Sequence, residues 1–493
     1  MTRGRASGLL LHPTSLPGPG PCGDLGAGAH GFVDFLAEAG QRLWQVLPLG
    51  PTGHGDSPYQ SFSAFAGNPL LVSTERLVEE GLLARGEVPP APPPGPACDY
   101  GAAHERARRL GPMLARGLAG HRLRDDFEAF RRGTPWLDDF TLYLALREAH
   151  GHAPWPRWPE ALRAREPAAL AEARRSLAGA LEAHAALQWA FDRQWCALRA
   201  HARARGVALL GDAPIFVAHD STDVWAQREL FDLDAGGAPR VVAGVPPDYF
   251  SATGQLWGNP LYRWEAHAAT GFAWWRARAA ALLRWLDLVR LDHFIGFVRH
   301  WEVPAGGADA RAGRWRPGPG EPLFRALERE LGGLPFVAED LGETGPDVEA
   351  LRDRLGLPGM RVLQFAFTGE PDHPFLPHRH PAHAVVYTGT HDNDTTLGWW
   401  RGLDEATRLR VRAALGGSAG DVAWDLLRFG LASPADTFVA PVQDVLSLGS
   451  EARLNTPGVA AGNWTWRLVA GQLTPGLAAR LREATRAAGR LAG

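Results

Sequence analysis

The chain has 493 residues, 45% of them hydrophobic and 21% charged, which is enough for one large globular domain with a normal buried core. The formal net charge is -3 and no long run of one charge occurs, so the sequence predicts no nucleic-acid partner and no membrane partner. The chain contains arginine but no lysine, which excludes a Schiff-base lysine and a phosphate-binding Walker lysine.

Three further features concern location and ligand. The cysteines Cys22, Cys98 and Cys196 lie far apart in no metal-binding spacing, which is typical of reduced cytosolic thiols. The N-terminus does not resemble a signal peptide, and no uninterrupted apolar stretch of about 18 residues occurs, so we expect a cytoplasmic protein. The 19 tryptophans fit carbohydrate binding, because flat indole faces match the C–H faces of sugar rings.

Eight short, nearly continuous apolar runs occur along the chain, and helical periodicity follows them. They cover residues 8–13, 43–49, 207–211, 288–292, 335–339, 360–367, 384–388 and 438–442. Such runs are typical of parallel strands buried on both faces. Eight of them interleaved with helices predict an α/β protein with a (β/α)8 TIM barrel. An open doubly wound sheet also fits, but no glycine-rich phosphate loop follows the first run.

Uneven spacing between the runs predicts insertions into a single catalytic domain that spans residues 1–493. Residues 76–205 are rich in Ala, Arg and Leu with a 3.6-residue period, so we expect a mainly helical insertion subdomain there. Residues 216–264 form a second insertion, and the Gly/Pro-rich residues 304–322 form a third. Insertions after barrel strands overhang the face that carries active sites.

Carboxylates lie at or just after the ends of four predicted strands. They are Asp212, Asp292, Glu339 and Asp392. One such residue alone is more often a helix cap or a hydrogen-bonded core carboxylate. Because the carboxyl ends of barrel strands converge on one face, four of them together predict a shared carboxylate site.

Neighbouring residues suggest different roles for these carboxylates. Arg290 lies two residues before Asp292, so both side chains point to the same side of the strand, as suits a nucleophile. Glu339 follows three apolar residues and precedes a second carboxylate, Asp340, a setting that would raise its pKa and suit a general acid. His391 can bind sugar hydroxyls. The pattern fits retaining glycosyl transfer, which needs no cofactor.

A divalent metal site is the alternative interpretation of residues 391–394, since His and Asp are metal ligands. No HxH or HExxH spacing accompanies them, and Arg290 would repel a cation, so we expect no metal.

Several sequence motifs resemble those of a known family. Residues 211–212, 290–293, 339 and 391–392 resemble the short motifs of the α-amylase clan. Three longer strings, 55–69, 246–260 and 387–396, resemble signatures of the amylomaltases, the 4-α-glucanotransferases of glycoside hydrolase family 77. The resemblance extends from Leu10 to Trp466.

The resemblance implies α-1,4-glucans as substrates, a glucose or glucan acceptor, and a set of site residues. It implies Asp292 as nucleophile, Glu339 as acid/base and Asp392 as transition-state stabiliser. The substrate-binding residues that it implies are Asp212, Arg290, His293, His391, Tyr59, Asn68, Tyr249, Phe250, Gln255, Trp257 and Asn463. For Tyr59, Asn68, Asn463 and the adjacent Trp464, an ordinary loop position remains an equal alternative.

Two competing functions remain. An α-amylase-like hydrolase would share Asp292 and Glu339, and only the longer strings favour a transferase. A non-catalytic glucan-binding barrel belongs to a different class, and the full set of carboxylates argues against it.

Overall fold

The structure is a computed structural model that describes residues 4–88, 95–247, 251–342, 344–417, 420–459 and 461–491. The strands within these ranges are β1 (Ala6–Leu10), β2 (Leu43–Gln45), β3 (Ala208–Ala213), β4 (Val241–Val245), β5 (Gln255–Pro260), β6 (Leu288–Leu291), β7 (Arg299–Pro304), β8 (Arg314–Pro317), β9 (Phe336–Ala338), β10 (Gly359–Val362), β11 (Ala384–Tyr387) and β12 (Thr437–Pro441). The α-helices are α1 (Ala27–Glu38), α2 (Thr74–Glu79), α3 (Tyr100–Leu118), α4 (Arg124–Gly133), α5 (Leu137–Ala149), α6 (Glu160–Arg163), α7 (Pro167–Ser176), α8 (Ala178–Ala204), α9 (Thr222–Ala226), α10 (Trp264–Ala269), α11 (Ala273–Trp285), α12 (Glu321–Leu331), α13 (Pro346–Arg354), α14 (Thr396–Gly402), α15 (Glu405–Ala414), α16 (Val422–Leu431), α17 (Val442–Val445) and α18 (Pro475–Ala487).

Eight parallel strands form a nearly closed barrel in which each strand pairs with the next barrel strand along the chain, and the last pairs with the first; among the described residues, no ladder joins β9 to β10, the two ends of the sheet. Their order is β10, β11, β12, β1, β2, β3, β6 and β9. The backbone N–H of Ala338, at the end of β9, donates to the carbonyl of Pro358, just before β10, at 2.9 Å and brings the two edges together. Each strand overlaps one of the eight apolar runs, so the predicted (β/α)8 barrel is confirmed.

The apolar residues of these strands serve two cores, because side chains alternate between the faces of a strand. One buried cluster takes side chains from every barrel strand and fills the interior, with Leu10, Leu43, Leu210 and Leu288 among its members. The larger cluster lies between the strands and the surrounding helices. Both faces of each strand are therefore covered, which explains the unbroken apolar runs.

The range between β2 and β3 holds the helices α2 to α8. Helix α8 packs against α3 and α5 within this group, and against α1 and β3 of the barrel. The division of the chain into a barrel and insertion subdomains stays a prediction. No helix in the described ranges has both the length and the apolar character needed to cross a membrane.

A second, antiparallel sheet takes two strands from the predicted insertion 216–264, one from the predicted insertion 304–322, and β7 from the segment just before the latter, and no pattern in the sequence predicted it. Its order is β5, β4, β7 and β8, and β7 begins soon after barrel strand β6. Strand β5 carries Gln255 and Trp257, so this sheet brings them toward the carboxyl end of β6.

Candidate active site

The polar side chains predicted for the site come together at the carboxyl ends of barrel strands. Asp212 lies in β3 and Arg290 lies opposite it in β6. Asp292 follows β6 directly, and Glu339 follows β9 directly. Parallel strands in a barrel end on the same face, so the register of the sheet places these side chains side by side.

Close packing behind β3 fixes the position of Asp212. A Cβ atom at the preceding residue, Gly211, would lie 2.1 Å from the Leu286 side chain, so only glycine fits there. The side chain of Asp212 is buried, and burial raises the pKa of its carboxyl, while the nearby Arg290 acts in the opposite direction.

Arg290 is the electrostatic centre of the site. Its Nη1 lies 2.8 Å from Oδ1 of Asp292 and 2.8 Å from Oδ2 of Asp212, and its Nη2 lies 4.0 Å from Oε2 of Glu339. Burial alone would lower the pKa of Arg290, but Asp212 and Asp292 raise it well above its usual value. A permanently charged guanidinium therefore orients Asp292 and compensates the negative charge around it.

Glu339 differs from Asp292 in its surroundings. Its two carboxyl oxygens accept backbone N–H groups, from His293 at 2.7 Å and from Leu341 at 3.0 Å. Burial, reinforced by the negative charge of Asp292 and opposed by Arg290, raises the pKa of Glu339 to about 8. Glu339 can thus carry a proton at neutral pH beside a carboxylate that is paired with arginine.

The carboxylate that helps to raise the pKa of Glu339 is Asp292. The sequence-based expectation that its neighbour Asp340 does so is wrong. The carboxylate of Asp340 pairs with Arg352 and accepts the backbone N–H of Met360 at 2.7 Å. Consecutive residues of an extended segment point to opposite sides, so Asp340 faces away from Glu339.

A wall of aromatic rings lies beside Asp212. The hydroxyl of Tyr59 donates to Oδ2 of Asp212 at 2.9 Å and lies 2.8 Å from Nε2 of His391. The two rings are nearly parallel, with centroids 5.2 Å apart, and Trp464 packs on both. Burial lowers the pKa of His391, so a neutral imidazole is available for hydrogen bonding.

Asp392 is the most accessible of the four carboxylates, with 45% of its side chain exposed. Its Oδ2 lies 3.4 Å from Nε2 of His391, and its Oδ1 accepts the side-chain N–H of Asn455 at 2.6 Å. Within the described parts of the chain, residues 391–394 included, no three His, Cys, Asp or Glu side chains are grouped so as to hold a metal ion.

His293 and Trp257 form the opposite side of the site. His293 has a φ of 52°, a left-handed conformation that directs its backbone N–H to Glu339. The ring of Trp257 meets His293 edge to face with centroids 4.7 Å apart, and its Nε1 donates to Oε1 of Gln255 at 3.2 Å. The predicted residues Tyr249 and Phe250 lie outside the described residues.

Two predicted binding residues make contacts that stabilise loops. Asn68 is buried and accepts the backbone N–H of Leu70 at 3.0 Å. Asn463 accepts the backbone N–H of Thr456 at 2.9 Å and donates to the carbonyl of Val459 at 2.8 Å. These contacts fit the loop alternative, and a role of either residue in glucan binding stays a prediction.

The comparison with known proteins identifies the family. A family model described as 4-alpha-glucanotransferase matches residues 11–472. The chain belongs to this family. It is 53% identical over 499 residues to the 4-alpha-glucanotransferase of Thermus thermophilus, with 99% of both chains covered, and 48% identical over 498 residues to that of Synechocystis sp., with 99% and 98% covered.

A solved structure of the amylomaltase from Streptococcus agalactiae, in complex with acarbose, is also similar. Its TM-score is 0.95 at 35% identity, covering 99% of this chain and 100% of that one. These similarities confirm the predicted family and the prediction of a 4-α-glucanotransferase, and a non-catalytic binding barrel is excluded. The description of the family, 4-alpha-glucanotransferase, names α-glucans as the substrates of its members.

Sequence reasoning missed several residues of the site. His12 lies two residues after β1, and burial, with a smaller effect of the neighbouring His391, lowers its pKa to about 3. The strand-end rule that found the carboxylates would have found His12 as well, had it been applied to histidines. Asn455 and Arg453 contact Asp392 from a loop after β12, where no strand end marks them.

Proposed function

We propose that the enzyme transfers a segment of an α-1,4-glucan to the 4-hydroxyl of an acceptor glucose or glucan by a retaining double displacement. Asp292 is the nucleophile and forms a covalent glycosyl-enzyme intermediate. The observation that carries the proposal is the contrast between two carboxylates beside one guanidinium: Asp292 lies 2.8 Å from Arg290, whereas Glu339 is buried with a raised pKa. Retaining glycoside chemistry needs this division into a nucleophile and a proton donor.

In the first step, Asp292 attacks the anomeric carbon of the donor glucan. The C–O bond of the glycosidic linkage breaks, and Glu339 donates its proton to the leaving 4-oxygen. The raised pKa of Glu339 supports this role, because a carboxyl with an ordinary pKa would hold little proton at pH 7. Asp392 stabilises the positive charge that develops on the sugar ring.

In the second step, Glu339 removes the proton from the acceptor 4-hydroxyl, and the resulting oxygen displaces Asp292. Two inversions at the anomeric carbon leave its configuration unchanged. Neither step involves a cofactor. Asp212, Tyr59, His293 and His391 bind the hydroxyls of the transferred glucose; the hydrogen bonds among them support a preorganised set of donors and acceptors.

The choice of a sugar acceptor over water depends on the face that carries Trp257. Its indole packs against His293 beside the acid/base, where it can stack on an incoming sugar ring and exclude water. Tyr249 and Phe250 complete this face in the proposal, which for these two residues rests on the sequence motif. The cytoplasm is the proposed location.

A trapping experiment tests the proposal. We expect Glu339→Gln to react with α-maltosyl fluoride, whose leaving group needs no acid, and to accumulate a maltosyl adduct that peptide mass spectrometry places on Asp292. Wild-type enzyme given maltotriose will produce longer oligosaccharides and glucose. In the initial products, NMR should show the α-configuration at the anomeric carbon that was transferred.

Variants of the nucleophile provide the control. Asp292→Ala should abolish turnover, by about 10⁴-fold or more if the carboxylate forms the covalent bond, while maltooligosaccharide binding persists. Asp372→Ala, at an exposed aspartate, is the matched control and will behave as wild type. Wild-type turnover in Asp292→Ala, or initial products in the β-configuration, would refute the proposed mechanism.

A further inference from the structure

We infer that Asn455, together with Arg453, is a positioning residue that holds the carboxylate of Asp392 in its working orientation. The inference rests on the proposed function of Asp392 as the group that stabilises the transition state. It adds a residue from the loop after the last barrel strand to a site otherwise built at strand ends.

The contacts fix Asp392 at two points. Nδ2 of Asn455 donates to Oδ1 of Asp392 at 2.6 Å. Nη2 of Arg453 donates to the backbone carbonyl of Asp392 at 2.7 Å, and its Nε donates to the backbone carbonyl of Asn455 at 2.7 Å. Arg453 therefore ties the backbone of Asp392 to the backbone of Asn455, and the amide of Asn455 orients the side chain.

Asp392 needs such a partner more than the other carboxylates do. Asp292 is held by Arg290 at 2.8 Å, and Glu339 is held by two backbone N–H groups. Asp392 is 45% exposed, and its other side-chain contact, with His391, is 3.4 Å long. Without Asn455 its carboxylate could rotate toward water, away from the sugar.

The chemistry of the amide suits this task. A guanidinium in the same place would neutralise Asp392 and reduce its attraction for the positive charge that develops on the sugar ring. A neutral N–H donor fixes the direction of one oxygen and leaves the full negative charge available. The oxygen that Asn455 does not bind, Oδ2, lies on the side of His391.

The loop that carries Asn455 is itself fixed. The backbone N–H of Trp464 donates to the carbonyl of Leu454 at 2.7 Å, so the two ends of the loop are joined. Asn463 binds the backbone of Thr456 at 2.9 Å, next to Asn455. Trp464 then packs against Tyr59, which anchors the loop to the barrel face. On either side of the loop, described residues next to Asn455 are therefore joined to each other and to the barrel face.

Two variants of one side chain test the inference. Asn455→Ala removes the donor, and we expect kcat for maltotriose to fall about 10–100-fold with KM changed less than about threefold. Asn455→Asp keeps the shape but replaces the donor with a negative acceptor, so kcat at pH 8 should fall further.

The pH profile of Asn455→Asp separates positioning from a merely structural role. At lower pH the introduced carboxyl and Asp392 share one proton, which restores a donor to Asp392 and the net charge of the wild type. The ratio of variant to wild-type kcat should therefore rise about fivefold or more between pH 8 and pH 5.5. A purely structural role predicts a constant ratio, and a constant ratio overturns the inference.

Further variants separate this inference from the proposed function. In an Asp392→Ala background, adding Asn455→Ala should cost less than about twofold in turnover, because the two residues act as one unit. Thr465→Val, in the same loop with no contact to Asp392, is the matched control and should keep wild-type kcat. If Asp392→Ala is inactive and Asn455→Ala has wild-type kcat, the inference alone fails. Wild-type turnover in Asp392→Ala would overturn the role of Asp392 and the inference with it.

Discussion

Glu339→Gln will change how the stability of the enzyme depends on pH. The native pKa of Glu339 is about 8 because the carboxyl is buried, and its ordinary value is 4.5. Between these two values the native state keeps a proton that the unfolded chain has lost. The native state then binds more protons than the unfolded state, so Glu339 lowers the free energy of unfolding as pH rises from 4.5 to 8. Above pH 8 its contribution no longer changes with pH.

The size of the effect follows from the same two values. Each pKa unit corresponds to about 1.4 kcal/mol, which gives an upper limit of about 5 kcal/mol for the full range. Water reaches the 13% of the side chain that remains exposed, and this reduces the expected cost to about 2–4 kcal/mol. Glutamine cannot ionise, so the variant loses this dependence on pH.

The difference in stability between Glu339→Gln and wild type at a single pH does not test the pKa of Glu339. Glutamine has only one acceptor oxygen for the N–H groups of His293 and Leu341, and this loss also changes stability. That mismatch costs about 1–3 kcal/mol, and it does so at every pH. The measurement is the difference in thermal midpoint between variant and wild type at pH 4.5, 6, 7 and 8.5. We expect it to shift in favour of the variant by about 2–4 °C across this range.

Glu265→Gln, at an exposed glutamate, is the matched control, and its difference from wild type should not vary with pH in the same way. Scan rate and protein concentration stay fixed, since a chain of this size can unfold irreversibly. A Glu339→Gln difference that stays constant from pH 4.5 to 8.5 would show that burial does not raise the pKa of Glu339. The assignment of this residue as proton donor at neutral pH would then lose its physical basis.

Two further predictions concern the walls of the site. Tyr59→Phe keeps the ring stacked on His391 but removes the hydroxyl that donates to Asp212. We expect kcat/KM for maltotriose to fall about tenfold, the value of one buried hydrogen bond to a charged group. An unchanged kcat/KM would mean that the hydroxyl of Tyr59 has no role in the reaction. Trp257→Leu removes the indole that contacts His293, and the ratio of reducing ends released to longer oligosaccharides formed should rise about threefold to tenfold, because water enters where an acceptor ring would stack. A ratio equal to that of wild type would mean that other residues select the acceptor.

Much of the barrel and of its active site could be predicted because each strand leaves a recognisable sequence pattern and the site lies where the strands end. A parallel strand buried on both faces leaves an unbroken apolar run in the sequence, and its carboxyl end opens on the functional face. Arg290 and Asp292 show the consequence. They end the same strand two residues apart, and the structure places them 2.8 Å from each other. The sequence therefore located the cluster, whereas the roles of its members needed the surroundings: Asp340 and Asp292 are equally plausible neighbours of Glu339 until the geometry shows which one faces it.

The antiparallel sheet of β4, β5, β7 and β8 could not be predicted in the same way. Strand β8 is exposed throughout, and β5 is buried only at its last two residues, so neither leaves an apolar run. Pairing between β4 and β7 joins residues about 60 positions apart, and nothing local in either segment specifies the partner. The formation of this sheet therefore depends on tertiary context more than on any local sequence pattern.

Asn455 is a site residue that local sequence patterns could not predict. It is 63 positions from Asp392 in the sequence, and its 2.6 Å contact arises because Arg453 and the closure of the loop by Trp464 carry it back over the strand ends. The groups that carry charge in the chemistry lie where the register of the barrel places them, and that register can be predicted from the spacing of apolar residues. Arg290, which orients Asp292, follows the same register, whereas Asn455 contacts Asp392 from an irregular loop whose path follows from individual hydrogen bonds. The exposure of Asp392 fits a donor from outside the strands, and the sequence does not reveal which residue that donor is.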